Sequence, residues 1–395
     1  MTVATYFSDV TLFDGRTARK RAGVLVSDGT IAWVGAHARA SKDARGATEI
    51  DGRGRTLGPG LIDCHVHLPF DGLADFVAEA QDTTVPRAAF KAARNAIRHL
   101  ESGVTTVRDL GAVEFVSCDL ARAIEESIVP GPRVVASGSA LTITGGHGHT
   151  LFAKEVDGPD AVRAAVREQM RGGARSIKVI ATGGVLTPGI TVDFTAFTPE
   201  ELEAAVDEAH KWGRPVAAHA IGREGIENAV RAGVDSVEHG SQLTTPIARE
   251  MKARGTFHVP TICALREIVD HPDEIPAYAV EKANQLAEEA REAFRRAVRA
   301  GVRHACGTDA GTPFNRHGNA PLEVVRMVEW GLTPLKALQA ATTNAAELLR
   351  VPSVGAVEQG KDADLVLWDG DPLDDIEAVL KPALVMRAGE VAAGR

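Results

Sequence analysis

Apolar and polar positions alternate differently at the ends of the chain and in its middle. Near the N-terminus, Asp9–Phe13, Gly23–Val26 and Ile31–Gly35 are short strand-like runs. Ser27-Asp28-Gly29-Thr30 separates the last two, and Asp-Gly between apolar runs predicts a hairpin. Near the C-terminus, Asp364–Trp368 and Ala383–Arg387 have the same character, with a turn expected at Ala388-Gly389-Glu390. Neither end holds enough apolar residues for a core of its own. Pairing the two ends into one small β-sandwich domain is the economical reading, with residues 1–57 and 351–395 as its halves.

Residues 58–350 follow another rhythm. The strand candidates are Leu61–Leu68, Thr105–Leu110, Arg133–Ser137, Ser176–Ala181, Pro215–Ala220, Ser236–His239, His258–Cys263 and Arg303–Thr308. Each is apolar with little alternation, as in strands buried on both faces. Helical stretches such as Pro86–Ser102, Asp160–Gly172, Glu200–Trp212 and Ala277–Ala300 lie between them. Thr198-Pro199-Glu200-Glu201 reads as a helix start, and Thr333-Pro334 as another. Gly103, Gly173, Gly213, Gly233, Gly255 and Gly301 stand where helices should end. Eight β/α units in succession predict an α/β fold, a (β/α)8 TIM barrel, with a doubly wound sheet as the alternative.

Composition narrows the function. The chain has 395 residues and a net charge of -9, from 44 Lys+Arg and 53 Asp+Glu. That balance argues against a dedicated nucleic-acid binder. No apolar run reaches the ~18 residues of a membrane span, and the first residues lack a secretory signal pattern. The four cysteines are too scattered for a disulfide framework or a paired-cysteine zinc site. A cytoplasmic enzyme acting on a small molecule is the expectation, with self-association into a homo-oligomer left open.

Chemistry gathers at the predicted strand ends, where barrel enzymes carry their active sites. His65 and His67 are two apart on a strand, so both rings face one side, as a zinc site requires. Lys178 lies within its strand, His219 and His239 close theirs, and Asp309 follows the last. Asp309 reads as a metal ligand and proton shuttle, or as a turn residue. A charged Lys178 inside Ile177-Lys178-Val179-Ile180 would be costly to bury. Either its amine snorkels to solvent, or CO2 converts it to a carbamate able to bridge two metals.

Gly60-Leu61-Ile62-Asp63-Cys64-His65-Val66-His67, Lys178, His219, Val237-Glu238-His239-Gly240 and Gly307-Thr308-Asp309-Ala310-Gly311 together resemble the amidohydrolase superfamily over essentially the whole chain. Thr182-Gly183-Gly184 and the tail from Ala341 to Leu365 resemble its imidazolonepropionase-like branch of Xaa-Pro dipeptidases and amide, carbamate and phenylurea hydrolases. The resemblance implies two divalent metals, most simply Zn²⁺. His65, His67 and Asp309 would hold one and His219 and His239 the other. Lys178, as N6-carboxylysine, and a hydroxide would bridge them. Asp309 would shuttle the proton, and His239 would help hold the oxyanion.

Substrate contacts are less determined by sequence. His147 and His149 in Gly145-Gly146-His147-Gly148-His149 suit a carbonyl or carboxylate, or a plain loop. Arg223 suits an anionic group or a solvated helix start. His317 and Asn319 suit ligand contact or loop structure. Dipeptidase-like relatives often carry a Tyr soon after the fifth-strand His. Here the stretch is His219-Ala220-Ile221-Gly222, which leaves room for an apolar amide, carbamate or urea. The expected function is binuclear hydrolysis of a C–N bond in an amide, dipeptide or N-acyl amino acid. The alternatives are carbamate, phenylurea, organophosphate or ester hydrolysis on the same site. A deaminase fits less well because such enzymes usually lack the bridging lysine. A non-catalytic barrel is disfavoured by the full ligand set.

Overall fold

Pairing between the first and last strands brings the two chain ends together. The computed structural model describes residues 4–40 and 44–394. Its N-terminal strands are β1 (Thr5–Phe13), β2 (Ala18–Ser27), β3 (Thr30–Ala36), β4 (Thr48–Asp51) and β5 (Arg55–Pro59). The middle of the chain carries β6 (Leu61–Val66), β7 (Val104–Asp109), β8 (Arg133–Ala136), β9 (Ala140–Thr142), β10 (Ala153–Glu155), β11 (Ile177–Ile180), β12 (Val216–Ala220), β13 (Ser236–His239) and β14 (Phe257–Val259). The C-terminal strands are β15 (Leu365–Asp369), β16 (Pro382–Arg387) and β17 (Glu390–Gly394).

The terminal strands form one sheet in the order β17-β16-β15-β5-β1-β2-β3, with β4 beside β1. The antiparallel β15–β5 register, Leu365 against Pro59 through Asp369 against Arg55, joins the ends. Phe7, Leu12, Val24, Leu57, Leu365 and Met386 share the core under it. Gly58 is needed there: a Cβ would stand 2.5 Å from the Trp368 ring. The expected hairpin forms between β2 and β3, with Asp28 at φ 50° and Gly29 at φ 76°, the paired positive values of a type I′ turn.

Strands β6, β7 and β8 are parallel neighbours, and β10-β9-β11-β12-β13-β14 form a second parallel sheet. Backbone bonds connect the two. Arg175 N–H donates to Ala136 O (2.8 Å) on one side. On the other, residues 303–310 lie between β14 and β6: His258 N–H donates to Arg303 O (2.9 Å) and Cys64 N–H to Cys306 O (2.8 Å). Helices including Val85–Glu101, Pro159–Arg171, Pro199–Lys211 and Ala277–Ala300 pack outside, close to the expected spans.

Two strand expectations need correction. The run from His258 stops at Val259, because Pro260 has no N–H to continue a ladder and Thr261 turns to φ 51°; the helix Ile262–Asp270 then begins. Residues 303–308 make one isolated bridge, at His304, rather than a continuous ladder, because their bonds are divided between β14 and β6. The short strands β9 and β10 had no expectation. The four cysteines are buried and unpaired. Among the described residues, no helix is long and apolar enough to cross a membrane.

Thr198 caps the helix Pro199–Lys211 reciprocally: its Oγ1 accepts from Glu201 N–H, and Glu201 Oε2 accepts from Thr198 N–H. Thr198→Ala is expected to cost about 1 kcal/mol, read as a lower denaturant midpoint with unchanged metal content.

Candidate functional site

Parallel strands start and stop together, so strand ends become neighbours even when far apart in sequence. His65 and His67 at the end of β6, Lys178 on β11, His219 on β12, His239 on β13 and Asp309 all line one open cavity. All six side chains are buried or nearly so. The ring centroids of His65 and His239 are 5.3 Å apart, and those of His219 and His239 are 4.6 Å apart.

Local bonds fix which nitrogen each histidine presents. His65 Nδ1–H donates to Glu238 Oε2 (2.9 Å) and His67 Nδ1–H to Gly111 O (2.9 Å), so each Nε2 carries no proton. His219 Nε2–H donates to Gly183 O (3.0 Å), which leaves Nδ1. His239 Nδ1 is engaged by Thr261 Oγ1 (2.7 Å), which leaves Nε2. His239 and Asp309 adopt φ 68° and 61°, values that cost non-glycine residues free energy and that cluster at working sites.

Three of these groups meet most closely. The ligand atoms of His65, His67 and Asp309 lie within 4.8 Å of one another. Asp309 Oδ1 is 3.3 Å from His65 Nε2 and 3.2 Å from His67 Nε2, yet this buried oxygen has no hydrogen-bond partner. Two bare ring nitrogens facing an acceptor oxygen repel unless a cation is shared between them. The donor set therefore fits a divalent metal, with imidazole and carboxylate in the mix that zinc accepts.

Burial disfavours the protonated form of three of the site's histidines. It pushes His65, His219 and His239 well below the usual histidine range, with Lys178 adding to each. Burial also lowers Lys178 to about 8, against the opposing pull of Glu238 and Asp309. For Asp309, burial pushes upward, but His65, His67 and Lys178 carry the carboxyl below its ordinary value. Lys178 Nζ lies 3.4 Å from His65 Nε2.

The sequence-proposed substrate contacts separate. His147 is buried in the cavity wall, its ring 4.6 Å from that of His219 and its Nδ1 2.6 Å from Thr187 Oγ1. His149 is half-buried outside the cavity lining, with Nδ1–H donating to Gly146 O. Arg223 is exposed at the start of its helix. His317 is buried behind the wall, where Nε2–H donates to Phe70 O (2.7 Å) and Nδ1 meets His99 Nε2. Asn319 precedes the helix Ala320–Trp330 without a side-chain capping bond and donates to Asn315 Oδ1.

The residues that support the candidate ligands were not singled out from the sequence. Glu238 bonds His65 with one oxygen and Arg108 with the other (2.9 Å), and both charged groups are fully buried. Arg108 Nε–H also donates to Cys64 O (2.6 Å). Asp63 accepts from the backbone of His65 and Thr308, which ties β6 to the segment carrying Asp309. A buried Arg in β7 and an acid beside His239 were the available signals. The apolar lining, including Phe76, Phe152, Leu265, Ile268 and Leu286, could not be assembled from spacing.

The profile of the "Amidohydrolase family" matches residues 56–392. Ochratoxinase of Aspergillus niger is 34% identical over 403 residues, spanning 94% of this chain and 82% of that one. An imidazolonepropionase of Mesorhizobium japonicum is 26% identical, spanning 89% and 87% of the two chains. A crystal structure of a Xaa-Pro dipeptidase with bound methionine superposes with a TM-score of 0.91, at 33% identity, over 99% of this chain and all of the other.

Glu238→Gln leaves Arg108 buried beside a neutral partner. It is expected to destabilise the fold by about 3 kcal/mol and to weaken metal binding at least about tenfold. Denaturant titration and competitive chelation measure the two effects.

Proposed function

The chain belongs to the amidohydrolase family, and from that premise we propose a binuclear metal hydrolase that cleaves a C–N bond in an amide, dipeptide or N-acyl amino acid with an apolar part. Hydrolysis of C–N bonds is common to this chain and its relatives. The observation that carries the finer reading is the meeting of His65, His67 and Asp309 around an unpartnered carboxylate oxygen, with His219, His239 and Lys178 on the same cavity floor.

Two divalent ions, most simply zinc, would polarise the scissile carbonyl and make hydroxide available near neutral pH. His65, His67 and Asp309 would hold one ion, His219 and His239 the other, with Lys178 as N6-carboxylysine between them. The remaining work belongs to the chain. The Asp309 carboxylate takes the proton of the attacking water and returns it to the leaving nitrogen. His147, held by Thr187 in the cavity wall, is the candidate contact for the substrate carbonyl or carboxylate. Phe76, Phe152, Leu265 and Ile268 exclude water around the apolar part. Carbamate or urea hydrolysis is the second reading. It is favoured by Ile221 lining the cavity and by Ala220 following His219.

The same reading extends to architecture. The bonds from 175 to 136 and from 303–310 to both β14 and β6 support a closed eight-stranded (β/α)8 barrel. It would span roughly residues 58–350, with the terminal segments as the small β domain.

A panel of N-acyl amino acids, dipeptides, carbamates and phenylureas tests the reading on zinc-loaded protein. An aromatic N-acyl group should raise kcat/KM at least about tenfold over its acetyl counterpart, given the apolar wall. Asp309→Asn should keep the fold and lose about a hundredfold or more in kcat. An Asp309→Asn enzyme with full turnover would remove the shuttle role.

A further inference from the structure

One wall of the cavity is held from outside by a cation that touches neither the metal-holding groups nor the cavity. Lys282 lies on the helix Ala277–Ala300. Its Nζ donates to three backbone carbonyls of one loop: Gly184 O (3.1 Å), Thr187 O (2.8 Å) and Ile190 O (2.7 Å). An ammonium has three N–H donors, so its capacity is filled by that loop. One turn earlier on the same face, Tyr278 O–H donates to Leu186 O (3.0 Å), and Lys282 Nζ sits 5.6 Å from the Tyr278 ring centroid.

The gripped loop follows β11 and does two things at the site. Val185 and Leu186 form part of the apolar wall. Thr187 Oγ1 holds His147 Nδ1 and accepts from Gly148 N–H (3.3 Å). His147 in turn packs on His219. One turn beyond Lys282 the same helix adds Leu286 to the cavity. Helix and loop thus close one side of the cavity from two directions, and Lys282 is the fastening between them.

We propose that Lys282, assisted by Tyr278, is a specificity-determining positioning residue: by clamping the Gly183–Thr191 loop it sets the width of the cavity and the stance of His147. The inference rests on the reading of this cavity as the substrate site. A lysine that is merely a solvated helix residue would leave the loop and the cavity unaltered when replaced. Charge-assisted hydrogen bonds to a half-buried ammonium are strong enough for their loss to change local opening by an order of magnitude.

The test compares the zinc-loaded wild type with Lys282→Met, Lys282→Arg and Tyr278→Phe. Hydrogen–deuterium exchange follows the amides of residues 184–191 and of β12. Steady-state kinetics use N-benzoyl-L-phenylalanine and N-acetylglycine. In Lys282→Met, exchange in the loop should quicken at least about tenfold, with β12 and metal content unchanged. KM for N-benzoyl-L-phenylalanine should rise by more than kcat falls, which narrows its advantage over N-acetylglycine. Lys282→Arg should restore most of the loop's protection, and Tyr278→Phe should show a smaller change in the same direction. Unchanged loop exchange in Lys282→Met would overturn the proposal, as would acceleration spread equally over β12. If the wild type hydrolyses neither probe, the N-acyl amino acid reading loses its support, while the exchange comparison still decides the clamp.

Discussion

Arg108 and Glu238 are buried side by side with no exposure to water, and much of the site depends on that pair. Two charges in an apolar interior are costly unless each finds partners. Here the partners are structural. Arg108 reaches from β7 to the backbone of Cys64 on β6 and to Ser236 on β13, while Glu238 on β13 reaches His65 on β6. Strands that are distant in sequence are thereby locked in register. The same carboxylate fixes the ring of His65, so its Nε2 faces His67 and Asp309. The interaction that holds the strands together is also the one that aims a candidate ligand.

The site repeats this arrangement of paired support. Gly111 O orients His67, Gly183 O orients His219, and Thr261 orients His239. His239 is also held through its carbonyl, which accepts from His258 Nε2–H (2.9 Å). Each of these histidines has one nitrogen engaged by the scaffold and one left for chemistry, an arrangement that suits a metal ligand. Thr261 obtains its position from a helix start: Glu323 accepts the N–H groups of Ile262 and Cys263 (both 2.8 Å), just after Thr261 turns to positive φ. Rigid supports of this kind let unprotonated nitrogens and an unpartnered carboxylate oxygen persist in a buried place.

What the sequence made legible follows from periodicity. A two-residue spacing puts His65 and His67 on one face, and parallel strands gather their ends, so Lys178, His219, His239 and Asp309 could be grouped without coordinates. The pairing of the chain ends was legible from the matching strand patterns. Loops carry no such period. His147 faces the cavity and its near neighbour His149 does not, a difference set by the Thr187 contact. His317 turns behind the wall because Phe70 O and His99 satisfy both of its nitrogens. Glu238 stood in plain view beside His239, but strand alternation assigns adjacent residues to opposite faces. It is the φ of 68° at His239 that breaks this rule. Lys282 reads as an ordinary solvated helix position until the carbonyls of a distant loop are placed around it.

On the proposed reading, this buried cluster holds two metal ions. The most direct measurement is an anomalous-difference map from crystals of the zinc-loaded protein, collected on either side of the zinc absorption edge. Two adjacent peaks are predicted, one among His65, His67 and Asp309 and the other beside His219 and His239, with continuous density from a carboxylated Lys178 between them. A single peak with an unmodified Lys178 amine, or zinc bound elsewhere with this cluster empty, would contradict it.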